Sequence, residues 1–244
     1  MRRLLAAQFP QSVRMPRYER WAGQVEREHH WLPRPAPFLP LAVSTPLAKG
    51  DPGEGYPYPW SIYRWLDGGN AVLEALADPA QAARDLAEFI TALQAVDTTG
   101  GPGPQWSSAF RGVALGDPAD SIAVEARVRP KIAALAGMVD TALLTEVWEA
   151  SLAAPAWHGQ PVWVHGDLGI GNLLAAWTFF DDATREIFRA ELGVDDDTWT
   201  RARGRGLASS LPVPGDPFFA GRPDRVERAL RRLDEITADY LARG

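Results

Sequence analysis

The chain has 244 residues, of which 46% are hydrophobic and 23% charged, with a formal net charge of -6 and no cysteine. This length and apolar content can bury a sizeable core, as one large domain or two small lobes, and a chain without cysteine forms no disulfide and does no thiolate chemistry. The acidic balance argues against a general nucleic-acid binder, which needs clustered Lys and Arg, and no apolar run approaches the roughly 20 residues that span a bilayer.

Taken from the start, Arg2 to Phe9 reads as a helix. Gln8 and Pro10 end its apolar stretch too soon for a secretory signal, so a soluble cytoplasmic protein is the expectation. Val13-Arg14 reads as a strand. The proline-dense stretch from Leu32 to Pro59 reads as extended connections around strands, with Ala42 to Thr45 and Trp60 to Tyr63 as strand candidates. Asp67-Gly68-Gly69-Asn70 is the strongest internal break. Dividing the chain there gives an N-terminal lobe, 1–67, with most of the strands, and a helical C-terminal lobe, 68–244. Amphipathic periodicity predicts helices over Pro79 to Val96, Thr141 to Ala154, Ala183 to Leu192 and Asp224 to Leu241. Gly100 to Gly103 and Pro212 to Pro223 read as loops. The Arg-rich stretches Arg201 to Arg205 and Arg225 to Arg232 read as solvated helix faces, and Asp195-Asp196-Asp197 as a solvated turn. Trp60, Trp65, Trp163 and Trp177 are expected in the core, since large aromatics dominate burial energetics. His29, His30 and His158 have no metal-ligand spacing with His165, so no zinc site is expected.

The segment 163–174 carries the chemistry. Pro161-Val162-Trp163-Val164 is a short apolar run suited to a strand, and the next residues are His165-Gly166-Asp167-Leu168-Gly169-Ile170-Gly171-Asn172-Leu173-Leu174. An Asp five positions ahead of an Asn, behind a strand, matches the catalytic loop of phosphotransferases. There the Asp accepts the proton of the attacking hydroxyl and the Asn holds a Mg²⁺ ion that bridges the nucleotide phosphates. The same spacing also fits an ordinary turn, with Gly169 and Gly171 as punctuation and Asn172 as a helix cap.

His-Gly-Asp-Leu followed by Gly-Asn-Leu-Leu is how this loop is written in the aminoglycoside phosphotransferase family, and the chain resembles that family. The resemblance extends to Ser12 to Arg17, similar to the strand that bears a phosphate-binding Lys or Arg, and to Gln24 to His29, similar to the helix that follows it. It continues through Pro57 to Leu66, which looks like the hinge, and through the C-terminal helices. It implies an α+β, protein-kinase-like fold: a small strand-containing N-terminal lobe, a larger mostly helical C-terminal lobe, and ATP with Mg at the cleft. The implied reaction moves the γ-phosphate to a hydroxyl of a small molecule, and acidic segments would suit a cationic one; neither nucleic acid nor membrane is an expected partner. Asp167, beside His165, would be the catalytic acid-base group. Arg14 would meet the phosphates, Glu28 would orient Arg14, and the backbone of Arg64, Trp65 and Leu66 would face the adenine. Asn172 would hold metal.

Two parts of that pattern are missing. A working enzyme of this type needs a second metal ligand, an Asp on a strand shortly after the Asn. Here Ala175-Ala176-Trp177-Thr178-Phe179-Phe180 follows directly, leaving Asp181 or Asp182 as the only nearby replacement ligand; with no Gly, Asn or Pro between to turn a hairpin, carboxylates at a helix N-terminus are the favoured reading and metal ligation the alternative. Near the start there is no Gly before Gly23, so the glycine-containing hairpin that would cover the phosphates is expected to be lost as well. Part of the nucleotide-binding sheet and the metal-Asp hairpin are therefore expected to be lost, with activity far below that of an intact relative. The alternative is a non-catalytic pseudoenzyme that binds a small molecule or a protein through the helical lobe.

Overall fold

Three short strands form an antiparallel sheet in the order β1-β3-β2, with β1 at Gln11–Arg14, β2 at Pro46–Gly50 and β3 at Trp60–Arg64. The structure is a computed structural model, and it describes residues 11–67, 76–104, 112–120, 122–164 and 175–243. The expected helix at Arg2 to Phe9 and the break at Gly68 to Asn70 lie outside them.

β3 is central because it alone pairs on both sides, and its aromatic and β-branched residues suit that place. Its side chains alternate: Ser61 and Tyr63 are fully buried on one face, while Trp60 and Ile62 are half-buried on the other. β2 begins with Pro46 and slips register by Ala48, which an edge strand tolerates. Beyond β2 the chain reverses at Gly53 to Tyr56, where Glu54 and Gly55 take φ of 48° and 79°, the left-handed pair of a tight hairpin. Gly50 lies under the Trp60 indole, and a Cβ there would run into the ring.

Helix α1, Glu19–Trp31, follows β1 and packs on the buried face of β3 through Val25. After a short 3₁₀ turn at Ala36–Phe38, β2 and β3 complete this layer. The remaining described elements are helical: α2 at Pro79–Gln94, α3 at Glu125–Ala133, α4 at Thr141–Ala153, α5 at Ala175–Phe179, α6 at Asp182–Leu192, α7 at Asp196–Ser210 and α8 at Pro223–Arg243. α2 packs on α6, and α7 lies between α4 and α8. One apolar core, including Ile90, Trp148, Phe188, Trp199, Leu207 and Ile236, joins them. Four helices start the same way. Asp78, Asp140, Asp181 and Asp195 each accept first-turn N–H groups of α2, α4, α6 and α7, satisfying donors that have no partner inside the helix.

The four helices expected from periodicity are present with ends within two residues, but several other expectations are corrected. The strand expected at Ala42 to Thr45 forms instead at Pro46–Gly50. Pro161 to Val164 pairs with no strand among the described residues; Trp163 packs on Trp31 with ring centroids 5.1 Å apart and donates from Nε1 to the Asp97 carbonyl at 3.0 Å. Trp65 is 55% exposed rather than core, and Trp60 and Trp163 are only half-buried; Trp177 is buried as expected. Asp195 to Asp197 is the start of α7 rather than a free turn.

The largest correction concerns Arg201 to Arg205, expected on a solvated face. Arg203 and Arg205 are each 4% exposed. Arg205 pairs with buried Asp120, and Arg203 lies 3.6 Å from buried Asp239, so acids far away in sequence make their burial tolerable. Gly204 permits it as well, because the helix presses there so closely on Ser151 of α4 that no Cβ fits.

Candidate functional site

β1 ends at Arg14, and the register of the sheet sets Arg14 opposite Ser61 and Ser12 opposite Tyr63. α1 crosses the same face. Its Glu28 carboxylate receives three groups: the Gln24 amide at 2.7 Å, the Tyr63 hydroxyl, and the Arg14 guanidinium, whose Nη1 is 3.8 Å away. The Arg14 guanidinium also sits over the Tyr63 ring, 4.7 Å from its centroid. Arg14 and Glu28, singled out separately in the sequence, are thus brought together, and Tyr63 joins them.

Two further links hold α1 in place. His29 Nε2 lies 2.7 Å from the hydroxyl of buried Ser61, and Lys49 of β2 donates to Glu26 at 2.6 Å. With Glu28–Tyr63 these make three ties from one helix to two strands. Burial, and next the hydrogen bond to Glu28, push the Tyr63 hydroxyl up to about 12, so it stays protonated and keeps donating.

Magnitudes decide what Arg14 is free to do. Its side chain is 56% exposed, and an ion pair or cation–π contact of that kind contributes about 1 kcal/mol or less each. A charge-assisted hydrogen bond to an anion is worth about 1.5–3 kcal/mol. A phosphate can therefore draw the guanidinium off Glu28, whereas Glu28 stays anchored by Tyr63 and Gln24. Arg14, Arg17, Trp21, Glu28 and Tyr63 line a cavity of about 290 Å³ between β1 and α1.

In the segment expected to be the hinge, Arg64 already uses both main-chain groups. Its N–H donates to the Thr45 carbonyl and its carbonyl accepts from the Ser44 hydroxyl, both at 2.9 Å. Trp65 and Leu66 are exposed beyond the end of β3. His165, Asp167 and Asn172 lie outside the described residues, and Trp163 is the nearest described anchor on their N-terminal side. Asp181 is the cap of α6: its carboxylate accepts from the Thr184 N–H at 2.9 Å, and bonds to the Thr184 side chain and backbone hold it below the usual carboxylate range. Residues 175–192 contain two helices and no strand, so no metal-Asp hairpin is present there. Among the described residues no three His, Asp or Glu side chains gather where they could hold a metal ion.

Sequence reasoning missed Tyr63 and Ser61 as part of this site. The signal was present: alternation along Trp60 to Arg64 puts a Ser and a Tyr hydroxyl on one face, and a buried face with two hydroxyls needs polar partners.

A model of the phosphotransferase enzyme family matches residues 10–194. No curated protein matches the chain. Among solved structures, the chain is similar to the GDP and kanamycin complex of APH(2")-IIia, at 16% identity and a TM-score of 0.58, with 94% of this chain and 87% of that chain covered. The GDP complex of wild-type aminoglycoside 2'-phosphotransferase-IIIa gives the same identity, TM-score and coverage. The fold is the α+β, protein-kinase-like one, with a sheet of three strands among the described residues. The chain belongs to the phosphotransferase enzyme family.

Proposed function

We propose that this protein is an ATP-dependent phosphotransferase of reduced activity that acts on a hydroxyl of a small molecule. The observation that carries the reading is the Arg14–Glu28–Tyr63 cluster, a fixed acid presenting an exposed cation at the mouth of a cavity between strand and helix. Arg14 would hold the nucleotide phosphates, with Glu28 setting its position. Trp65 and Leu66 are the hinge residues whose main-chain groups meet no described partner, and they would face the base; Arg64 would contribute through the turn it fixes. Asp167, next to His165, would orient the acceptor hydroxyl and take its proton as the bond to phosphorus forms, a contribution of about 10²–10⁴-fold.

Magnesium is supplied by the resemblance, through Asn172 and Asp181. The described donors do not fit it: Asp181 commits its carboxylate to the cap of α6, and among the described residues no three acids or His gather where they could hold a metal ion. Reduced activity follows, because much of the acceleration in such enzymes comes from charge neutralised around the phosphates. Kanamycin in a similar structure makes aminoglycosides the first acceptors to test. Transfer of labelled phosphate from ATP to an aminoglycoside or another small alcohol, abolished by Asp167→Asn, supports the reading. Labelled product formed equally by Asp167→Asn contradicts it.

The helical run over 175–192 favours a second reading, a pseudoenzyme that keeps the fold and binds without transfer. Thermal shift separates the two. Stabilisation by ATP together with measurable transfer marks the enzyme, and stabilisation by ligand with no transfer to any acceptor marks the binder.

A further inference from the structure

Arg17 has a position that nothing in the site so far explains. It lies three residues beyond Arg14 and lines the same cavity of about 290 Å³ as Arg14, Trp21, Glu28 and Tyr63, and also a neighbouring one with Tyr56 and Tyr58. The segment between the two arginines is stiff: Pro16 fixes its own φ, and its carbonyl accepts from the Tyr56 hydroxyl at 2.6 Å, tying the segment to the β2–β3 hairpin. Neighbouring cations are engaged. Arg14 shares Glu28, and Arg20 stacks over Tyr18 and Trp21 at 5.2 and 4.9 Å from the ring centroids. Arg17 has no hydrogen bond, ion pair or ring contact to any described residue, although the chain as a whole is acidic.

We infer that Arg17 is a second phosphate-binding cation, which with Arg14 clamps the polyphosphate of a nucleotide in this cavity. This rests on the nucleotide reading above and adds a residue to it. A polyphosphate carries several negative charges, and Arg14, already shared with Glu28, offsets at most one of them. A second guanidinium at the wall of the same cavity would add a planar fork that matches two phosphate oxygens. It also supplies charge that the described residues do not provide through a metal. The clamp recognises the phosphate chain and not the base, so its effect belongs to ATP and not to adenosine.

The test is calorimetric titration of the full chain with ATP and with adenosine, using wild type, Arg14→Ala, Arg17→Ala, Arg17→Lys and Arg20→Ala. Arg17 is exposed and without described partners, so its variants should fold and melt as wild type does. The expected result is ATP binding weakened about tenfold by Arg17→Ala, the worth of one charge-assisted contact. Adenosine binding should be unchanged, Arg17→Lys, which keeps the charge and loses the fork, should restore only part of the ATP affinity lost in Arg17→Ala, and Arg20→Ala should have no effect. Two outcomes overturn the inference while leaving the nucleotide reading intact: Arg17→Ala binding ATP like wild type while Arg14→Ala loses it, or Arg20→Ala weakening ATP as much as Arg17→Ala. A wild-type chain that binds ATP no better than adenosine overturns the nucleotide reading first, and this inference with it.

Discussion

Tyr63 touches both members of the ion pair, its hydroxyl on Glu28 and its ring under Arg14. Tyr63→Phe keeps the ring and removes the hydrogen bond, so about 1 kcal/mol of stability should be lost in denaturant titration. The same change should weaken ATP binding several-fold. If Tyr63 acts through Glu28, adding Tyr63→Phe to Glu28→Gln should weaken ATP little further; fully additive losses would show the two acting independently. Arg14 and Glu28 were legible in the sequence because strand, then helix, then hinge run in the order the resemblance carries. Tyr63 was not, since alternation tells which face a side chain takes but not what lies across from it.

The helices rest on their ends and on one close crossing. Asp195 accepts the Thr198 N–H at 2.6 Å, and bonds to the Thr198 side chain and backbone hold its carboxyl below the usual range, as Thr184 does for Asp181. A carboxyl whose pKa is lowered on folding contributes stability above its unfolded value, near about 3.9, and loses it as pH falls through the lower folded value. Asp195→Ala should therefore lower stability by about 1 kcal/mol at neutral pH, and the gap to wild type should close in acid. A gap that persists unchanged at pH near about 2 would mean the charge is not what caps the helix. In α7, Arg205→Ala would strand buried Asp120 without its partner, and about 3–5 kcal/mol should be lost in chemical denaturation. Gly204→Ala should cost about 1–3 kcal/mol because α4 leaves no room for a methyl group. Helices with clean apolar stripes, such as α2 and α8, were readable from periodicity. α7 was not, because the acids that let its arginines go inside come from a loop before α3 and from α8. The apolar run at Pro161 to Val164 has strand composition, but a strand exists only beside another, and none lies beside it among the described residues.

At the scale of the molecule, α1 is tied to all three strands of the sheet by side-chain pairs, and its last residue, Trp31, packs on Trp163, four residues before Asp167 in sequence. The cation at the site is therefore positioned by a helix that also contacts the described residues just before Asp167 in sequence. After residues 165–174 the described chain resumes as α5 and α6, with no strand that could carry a second metal ligand there. Phosphates should consequently be held by arginine more than by magnesium. The decisive measurement is the affinity of the full chain for ATP with and without Mg²⁺. Binding with a dissociation constant of about 0.1–1 mM, changed by Mg²⁺ less than about threefold and lost in Arg14→Ala, is the predicted result. Micromolar affinity that depends on Mg²⁺ would contradict it.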